Sequence, residues 1–277
     1  MAEQRLSIRR RRLSAELKRV RQDAGMTVED VAAATEWSVG KISNIETGVR
    51  QFPTVMEIKG LLDTYGVTED RRREAILDLT RQARERGWWS KYSDVFTDEF
   101  PEFEAEATSI HTYELARIPG LPQTAGYVEL LMRASLYRSN IDIERAIETR
   151  RQRQTVLERP SAPDLWAVID EAALRRFQPA ETVFRDQVQH LVDVAEADNT
   201  VTLQVLPFAS GMHAALQGPF VLMHFAENVN PVVYLETDTD GLYLEEEEVD
   251  RYRKVFDHVR TSARHPEASI QMLKAML

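Results

Sequence analysis

The sequence predicts an α+β protein in two parts: a five-helix N-terminal module over residues 1–86, then a mixed helical domain with a small sheet over residues 87–277. Three observations carry this reading. Up to Arg86, apolar residues recur at three- and four-residue spacing between capping residues, the pattern of short amphipathic helices. From Leu165 onward, short runs rich in Val, Leu, Phe and Tyr read as strands, several of them alternating with period two. Charge also divides at the same place. Residues 1–86 carry 17 Lys and Arg against 14 Asp and Glu, whereas the remainder carries 18 against 31.

In the first part, Leu13, Leu17 and Val20 mark a helix that Gly25 ends. Thr27 is an N-cap with Asp30 in the capping-box position, and Val28, Val31 and Ala32 form the apolar face of the second helix. Ser38 caps a third helix, whose Val39, Ile42 and Ile45 are expected to pack inward and which Gly48 closes. Pro53-Thr54 opens a fourth, carrying Val55, Ile58, Leu61 and Leu62 and stopped by Gly66. Thr68 is expected to cap a fifth, from Glu69 to Arg86, with Ile76, Leu77, Leu79 and Ala83 as its apolar positions.

In the second part, an aromatic and acidic segment leads to an expected helix over 103–112, which ARIPGLPQT interrupts with two prolines and a glycine. Helices follow near 124–136 and 142–159. Strands are expected at 165–169, 201–206, 220–225, 231–236 and 241–244, with helices at 170–177, 181–197 and 246–262 between or after them. At the start of the first of these helices, Glu171 is expected to close the N-terminus, with partner binding as the alternative.

Composition narrows the function classes. The chain has no cysteine, which removes disulfides, thiolate catalysis and Cys-based zinc sites and suits a reducing cytoplasm. No run of 18 apolar residues suggests a membrane span. The net charge of −10 is the opposite of a simple basic DNA binder, but the imbalance lies in the second part. An acidic body is repelled by phosphates, so a basic head would make any contact with them. Arg5 and Arg9–Arg12 are read as a basic arm along such phosphates.

Residues 27–50, TVEDVAAATEWSVGKISNIETGVR, read as two short helices joined by a tight turn, the second with a polar outer face. That is the layout of a helix-turn-helix, whose second helix enters the major groove of double-stranded DNA. Opposite Val39, Ile42 and Ile45 lie Ser38, Lys41, Ser43 and Asn44, side chains able to hydrogen-bond base edges or phosphates. Gly40 would let the backbone approach closely. Arg50, just past the helix, is the candidate phosphate clamp, and Thr27 sits at a helix N-terminus where a phosphate can dock.

The segments LKRVRQDAGMTVEDVAAATEWSVGKISNIETGVRQFP and IKGLLDTYG resemble the Cro and lambda-repressor-like regulators, the xenobiotic-response-element family. The resemblance implies a five-helix DNA-binding domain working as a homodimer on a palindromic operator. It also places Arg21 opposite Glu46 as a structural ion pair between the first and third helices. One departure is Val28, where many members carry a glutamine that anchors the second helix to a phosphate.

The motifs EAEATSIHTYELARIPGLPQTAGYVELLMRA, RRQRQTVLER, LWAVIDEAALRR, VTLQVLPFASGMHA, GPFVLMHF, VVYLE and YRKVFDHVRTSA resemble the C-terminal domain of a group of actinobacterial antitoxin-like helix-turn-helix regulators. That likeness implies gene neighbourhood with a small partner protein and implies no reaction. Trp88, Trp89 and Tyr92 are expected to form an aromatic hinge, with a ligand-stacking platform as the alternative. Arg117 is a possible pocket cation, and His213 lies in a loop that a ligand pocket could use.

No catalytic motif is present: the six histidines are scattered, and GxSxG, HExxH, GxxxxGK[ST] and GxGxxG are all missing. No catalytic residue, metal or cofactor is therefore expected. The sequence points to a cytoplasmic, sequence-specific transcriptional regulator whose C-terminal part dimerises and receives a small molecule or small protein. The competing expectation is an antitoxin-like scaffold that sequesters a partner protein and regulates its own operon.

Overall fold

A computed structural model describes residues 7–50, 52–84, 89, 99–135, 140–197, 200–226, 229–237 and 241–277. Backbone contacts divide the chain into two units, Met1–Ser90 with Ala226–Val229 and Lys91–Phe225 with Asn230–Leu277. The fold is α+β, as the residue patterns predict.

Among the described residues the first unit has five α-helices: α1 (Ile8–Asp23), α2 (Val28–Thr35), α3 (Val39–Glu46), α4 (Val55–Thr64) and α5 (Asp70–Gln82). Each contributes its apolar stripe to one core, built from Leu13, Leu17, Val31, Ile42, Ile45, Ile58, Leu61, Leu62, Ile76 and Leu77. Local chemistry sets the ends. Thr27 with Asp30, and Thr54 with Glu57, form reciprocal capping boxes on α2 and α4. Gly25 and Gly66 follow α1 and α4 at φ of 67° and 70°, a left-handed backbone that a Cβ would disfavour.

Three local expectations are corrected here. Arg9–Arg12 are not an extended arm, because α1 begins at Ile8, which is fully buried and draws the following arginines into a helix capped by Ser7. Arg5 lies outside the described residues. The cap of α5 is Glu69 rather than Thr68, and it makes no side-chain cap hydrogen bond. Val39 does not pack inward and is 43% exposed. Three-residue steps lag the 3.6-residue turn, so the stripe that buries Ile42 and Ile45 has rotated away at Val39.

Among the described residues, the second unit is built on a six-stranded mixed sheet in the order β3-β2-β1-β4-β5-β6. Its strands are β1 (Ser109–Glu114), β2 (Asp164–Asp170), β3 (Val201–Leu206), β4 (Phe220–His224), β5 (Val232–Glu236) and β6 (Gly241–Leu244). Strands β1, β2 and β3 run parallel, while β4, β5 and β6 continue antiparallel from β1. The remaining helices are α6 (Phe100–Glu106), α7 (Ala125–Arg133), α8 (Asn140–Gln154), α9 (Glu171–Phe177), α10 (Glu181–Ala197), α11 (Glu247–Ser262) and α12 (Pro266–Lys274). Phe256 and Val259 of α11 pack with Tyr113, Val168, Phe220, Leu222 and Val233 of the sheet.

The helix expected over 103–112 is instead the end of α6 followed by β1. Its SIHTYE sequence holds polar residues that a central strand buries: Thr112 donates to the Phe220 carbonyl at 3.3 Å, and His111 stacks on Phe256 with ring centres 4.8 Å apart. The terminal α12 was not anticipated. It opens with Pro266 in its first turn, and its Ser269 hydroxyl accepts from the Val205 N–H at 2.9 Å. The cap of α9 is Asp170, whose Oδ1 accepts from the Ala172 N–H, while Glu171 accepts from the Phe208 N–H.

Candidate nucleic-acid interface

Helices α2 and α3 are joined by only three residues, Glu36, Trp37 and Ser38. Glu36 makes the sharp turn in a left-handed conformation at φ 57°. Ser38 then starts α3, its hydroxyl accepting from the Lys41 N–H at 3.2 Å. The inner side of α3 is anchored by more than Ile42 and Ile45. The Arg21 Nε sits between both oxygens of Glu46 at 2.9 and 3.0 Å, and another Arg21 nitrogen donates to the Met26 carbonyl at 2.8 Å. Tyr65 from α4's C-terminus donates its hydroxyl to Glu46 at 3.0 Å, and Ser14 donates to the Ile45 carbonyl at 2.9 Å. Glu46 thus has Arg21 and Tyr65 as partners in a nearly dry site. Its hydrogen bond, working against the cost of burial, raises the Arg21 pKa, while burial and Glu46 push the Tyr65 hydroxyl up.

With its inner face pinned, α3 presents the other face to solvent. Ser38, Gly40 and Asn44 are exposed, and Lys41 and Ser43 are half-buried. Gly40 and Lys41 lie one turn before Asn44, so the three form one stripe. A Cβ placed on Gly40 meets nothing within 4 Å.

The cations beside this stripe are held by one carboxylate. Glu57 Oε1 lies 3.0 Å from the Lys41 ammonium and 2.7 Å from the Arg50 guanidinium. The Lys41 nitrogen also sits 3.5 Å from the centre of the Trp37 ring. Partial burial of Glu57 favours its neutral form, but the Thr54 N–H, Lys41, the Thr54 hydroxyl and Arg50 outweigh that and hold its pKa down to about 2. Glu57 was not singled out from the sequence. Its capping-box spacing after Thr54 was legible, but its pairing with Lys41 and Arg50 depends on tertiary approach.

The N–H of Thr27, expected to be open to a phosphate, donates to Asp30 Oδ2 at 2.8 Å, as does its hydroxyl at 2.7 Å. Those bonds lower the Asp30 pKa. A phosphate at this helix end would therefore meet the later amides of the first turn.

Trp88 and Tyr92 fall outside the described residues. The Trp89 ring centre is 5.8 Å from the Arg9 guanidinium carbon. In the second unit, Arg117 pairs with Glu236 at 2.5 Å and lines a cavity of about 580 Å³. His213 is held within the structure: its Nδ1 accepts from the Ala215 N–H at 3.3 Å, and its Nε2 is 3.5 Å from the Tyr113 hydroxyl, which donates to Asp170. Among the described residues, no group of three His, Asp or Glu is placed to hold a metal ion, and no helix is long and apolar enough to cross a membrane.

Residues 12–75 match a family described as "Helix-turn-helix domain", in agreement with the α2–turn–α3 geometry. Comparison with curated proteins and with solved structures finds no match. Residues 97–275, well over half the chain, match the family described as "Domain of unknown function (DUF5753)", and the protein belongs to that family, with a helix-turn-helix domain preceding the domain that defines it.

Proposed function

We propose that the protein is a sequence-specific DNA-binding transcriptional regulator and not an enzyme. It acts as a homodimer, and its second unit receives the signal. The observation that carries the reading is the stripe of exposed Ser38, Gly40 and Asn44 with half-buried Lys41, on a helix whose opposite side is fixed by Ile42, Ile45 and the Arg21–Glu46 pair.

In this reading α3 docks in the major groove in the manner of the Cro and lambda-repressor-like regulators. Asn44 has the amide geometry to pair with adenine N6 and N7, and Lys41 can reach guanine O6 and N7 or a phosphate. Ser38 and Ser43 offer short hydroxyls to either kind of base, and Gly40 admits the groove wall. The exposed methyls of Val39 suit the C5-methyl of thymine. Arg50 clamps a phosphate, and the first turn of α2, capped by Thr27, offers amides to another. Two heads would read half-sites about 34 Å apart. Glu57 competes with DNA for Lys41 and Arg50, so phosphates must displace or share an existing carboxylate partner.

The test is the double variant Lys41→Ala, Asn44→Ala. It is expected to lose preference for a duplex selected from random DNA, while its melting temperature stays close to that of the parent, because Glu57 keeps Arg50 and Thr54 as partners when Lys41 is removed. A variant that still selects the same duplex would overturn the assignment of the reading face.

A further inference from the structure

The cavity of about 580 Å³ in the second unit falls within the volume range of small-molecule sites. Ile110, Ile118, Leu131 and Val221, which pairs with Thr112 on the same face of the sheet, supply apolar wall. Three guanidinium groups reach the same space. Arg117 is paired with Glu236, and Arg153 is gripped by both oxygens of Glu104 at 2.6 and 2.7 Å. Arg150 has no equivalent carboxylate among the described residues, and its Nε makes no hydrogen bond there. Its head is pressed against Gly120, where a Cβ would stand 2.6 Å from an Arg150 terminal nitrogen and 2.9 Å from one of Arg153. Two acceptors lining the same cavity, Glu114 Oε2 and Gln123 Oε1, are likewise buried without a partner among the described residues.

Buried polar atoms without partners are uncommon in folded proteins, and a guanidinium with none is costly. Here a donor and two acceptors of this kind share one cavity with an apolar wall. Burial pushes the Glu114 carboxyl up to about 8 and, with Arg153 beside it, draws Arg150 down to about 9. Near neutral pH Glu114 is therefore mostly protonated while Arg150 keeps its charge, which leaves a surplus cation in the cavity.

We propose that this cavity binds a small organic acid. Its carboxylate pairs with Arg150, a hydroxyl elsewhere on it donates to Gln123 Oε1 and accepts from the protonated Glu114, and its apolar body lies against Ile110, Ile118, Leu131 and Val221. The proposal names the chemistry of the signal that the second unit receives, and for its regulatory meaning it rests on that reading. Binding itself is measurable without DNA.

The probe is a panel of medium-chain and aromatic carboxylic acids, with and without hydroxyl or amino substituents, each matched to its primary amide. It is applied to the full chain by thermal shift and titration calorimetry. At least one acid is expected to bind one per chain, about tenfold or more tighter than its amide, and to lose that advantage in Arg150→Met. Gly120→Ala, which crowds the Arg150 head without removing its charge, is expected to weaken the same acid. Arg150→Met alone is expected to raise the melting temperature of the ligand-free protein, and Arg153→Met to lower it, since the first removes an unpaired charge and the second breaks a pair. The proposal is overturned if no acid binds the parent better than its amide, the result for a merely water-filled cavity, or if Arg150→Met binds the acid as the parent does. An acid that binds but leaves DNA affinity unchanged sustains the site and refutes the signal-receiving reading instead.

Discussion

Gly40→Ala separates a residue kept for its partner from one kept for its fold. Gly40 is the second residue of α3, in helical conformation, and an added Cβ meets no protein atom within 4 Å. Alanine is favoured over glycine by up to about 1 kcal/mol inside a helix, and a position so near the helix start should realise roughly half of that. For a domain of this head's size, about 0.5 kcal/mol corresponds to a rise of roughly 2–4 °C in melting temperature. The same methyl would stand between the α3 backbone and the groove wall. A misfit there is expected to weaken binding to a selected duplex by about tenfold, or about 1.4 kcal/mol. Thermal unfolding and fluorescence anisotropy on the same preparation read the two effects. Stability and affinity should move in opposite directions. If the variant gains stability and binds the duplex unchanged, Gly40 does not face DNA and the docking geometry is wrong.

Other substitutions probe the supports. Arg21→Met leaves Glu46 buried with only Tyr65 as a side-chain partner, and the head is expected to lose about 3–5 kcal/mol, read by urea denaturation. Glu57→Gln releases Lys41 and Arg50 from a carboxylate. Affinity for random duplex should rise at low salt, and the salt dependence, read by anisotropy, should steepen by up to about two phosphate contacts. An unchanged slope would show that Glu57 does not restrain those cations. The pH dependence of stability should carry the mark of His111, whose pKa burial, aided by His224 and Arg260, depresses from 6.5 to about 4. Between those values the unfolded chain binds the extra proton, so stability should be complete above about pH 6.5 and fall as pH drops toward 4. In His111→Phe that part of the slope should vanish.

The sequence carried the head almost entirely, because its helices are delimited by local chemistry. Thr27-x-x-Asp30, Thr54-x-x-Glu57, Ser38, Gly25 and Gly66 each act within a few residues of where they stand. Strands β3 and β6 were legible to the residue. What failed was set by distant neighbours. SIHTYE becomes a central strand because β2 and β4 flank it on both sides, and nothing local announces that. Val39 was misplaced for a local reason: a three-residue step falls short of a full turn, so the buried stripe through Ile42 and Ile45 has rotated away from it. Among site residues, the outward stripe of α3 follows from helical periodicity. The Glu57 carboxylate, the Glu104–Arg153 pair, and Glu114 and Arg150 of the cavity come from segments that only the folded chain brings together.

Hydrogen exchange on the full chain, with and without a duplex selected from random DNA, tests the regulator reading most directly. Protection is expected over 38–50, with further slowing at the first turn of α2, and it should weaken as salt rises. A duplex that binds tightly while residues 38–50 exchange as they do in its absence would contradict the placement of α3 in the groove.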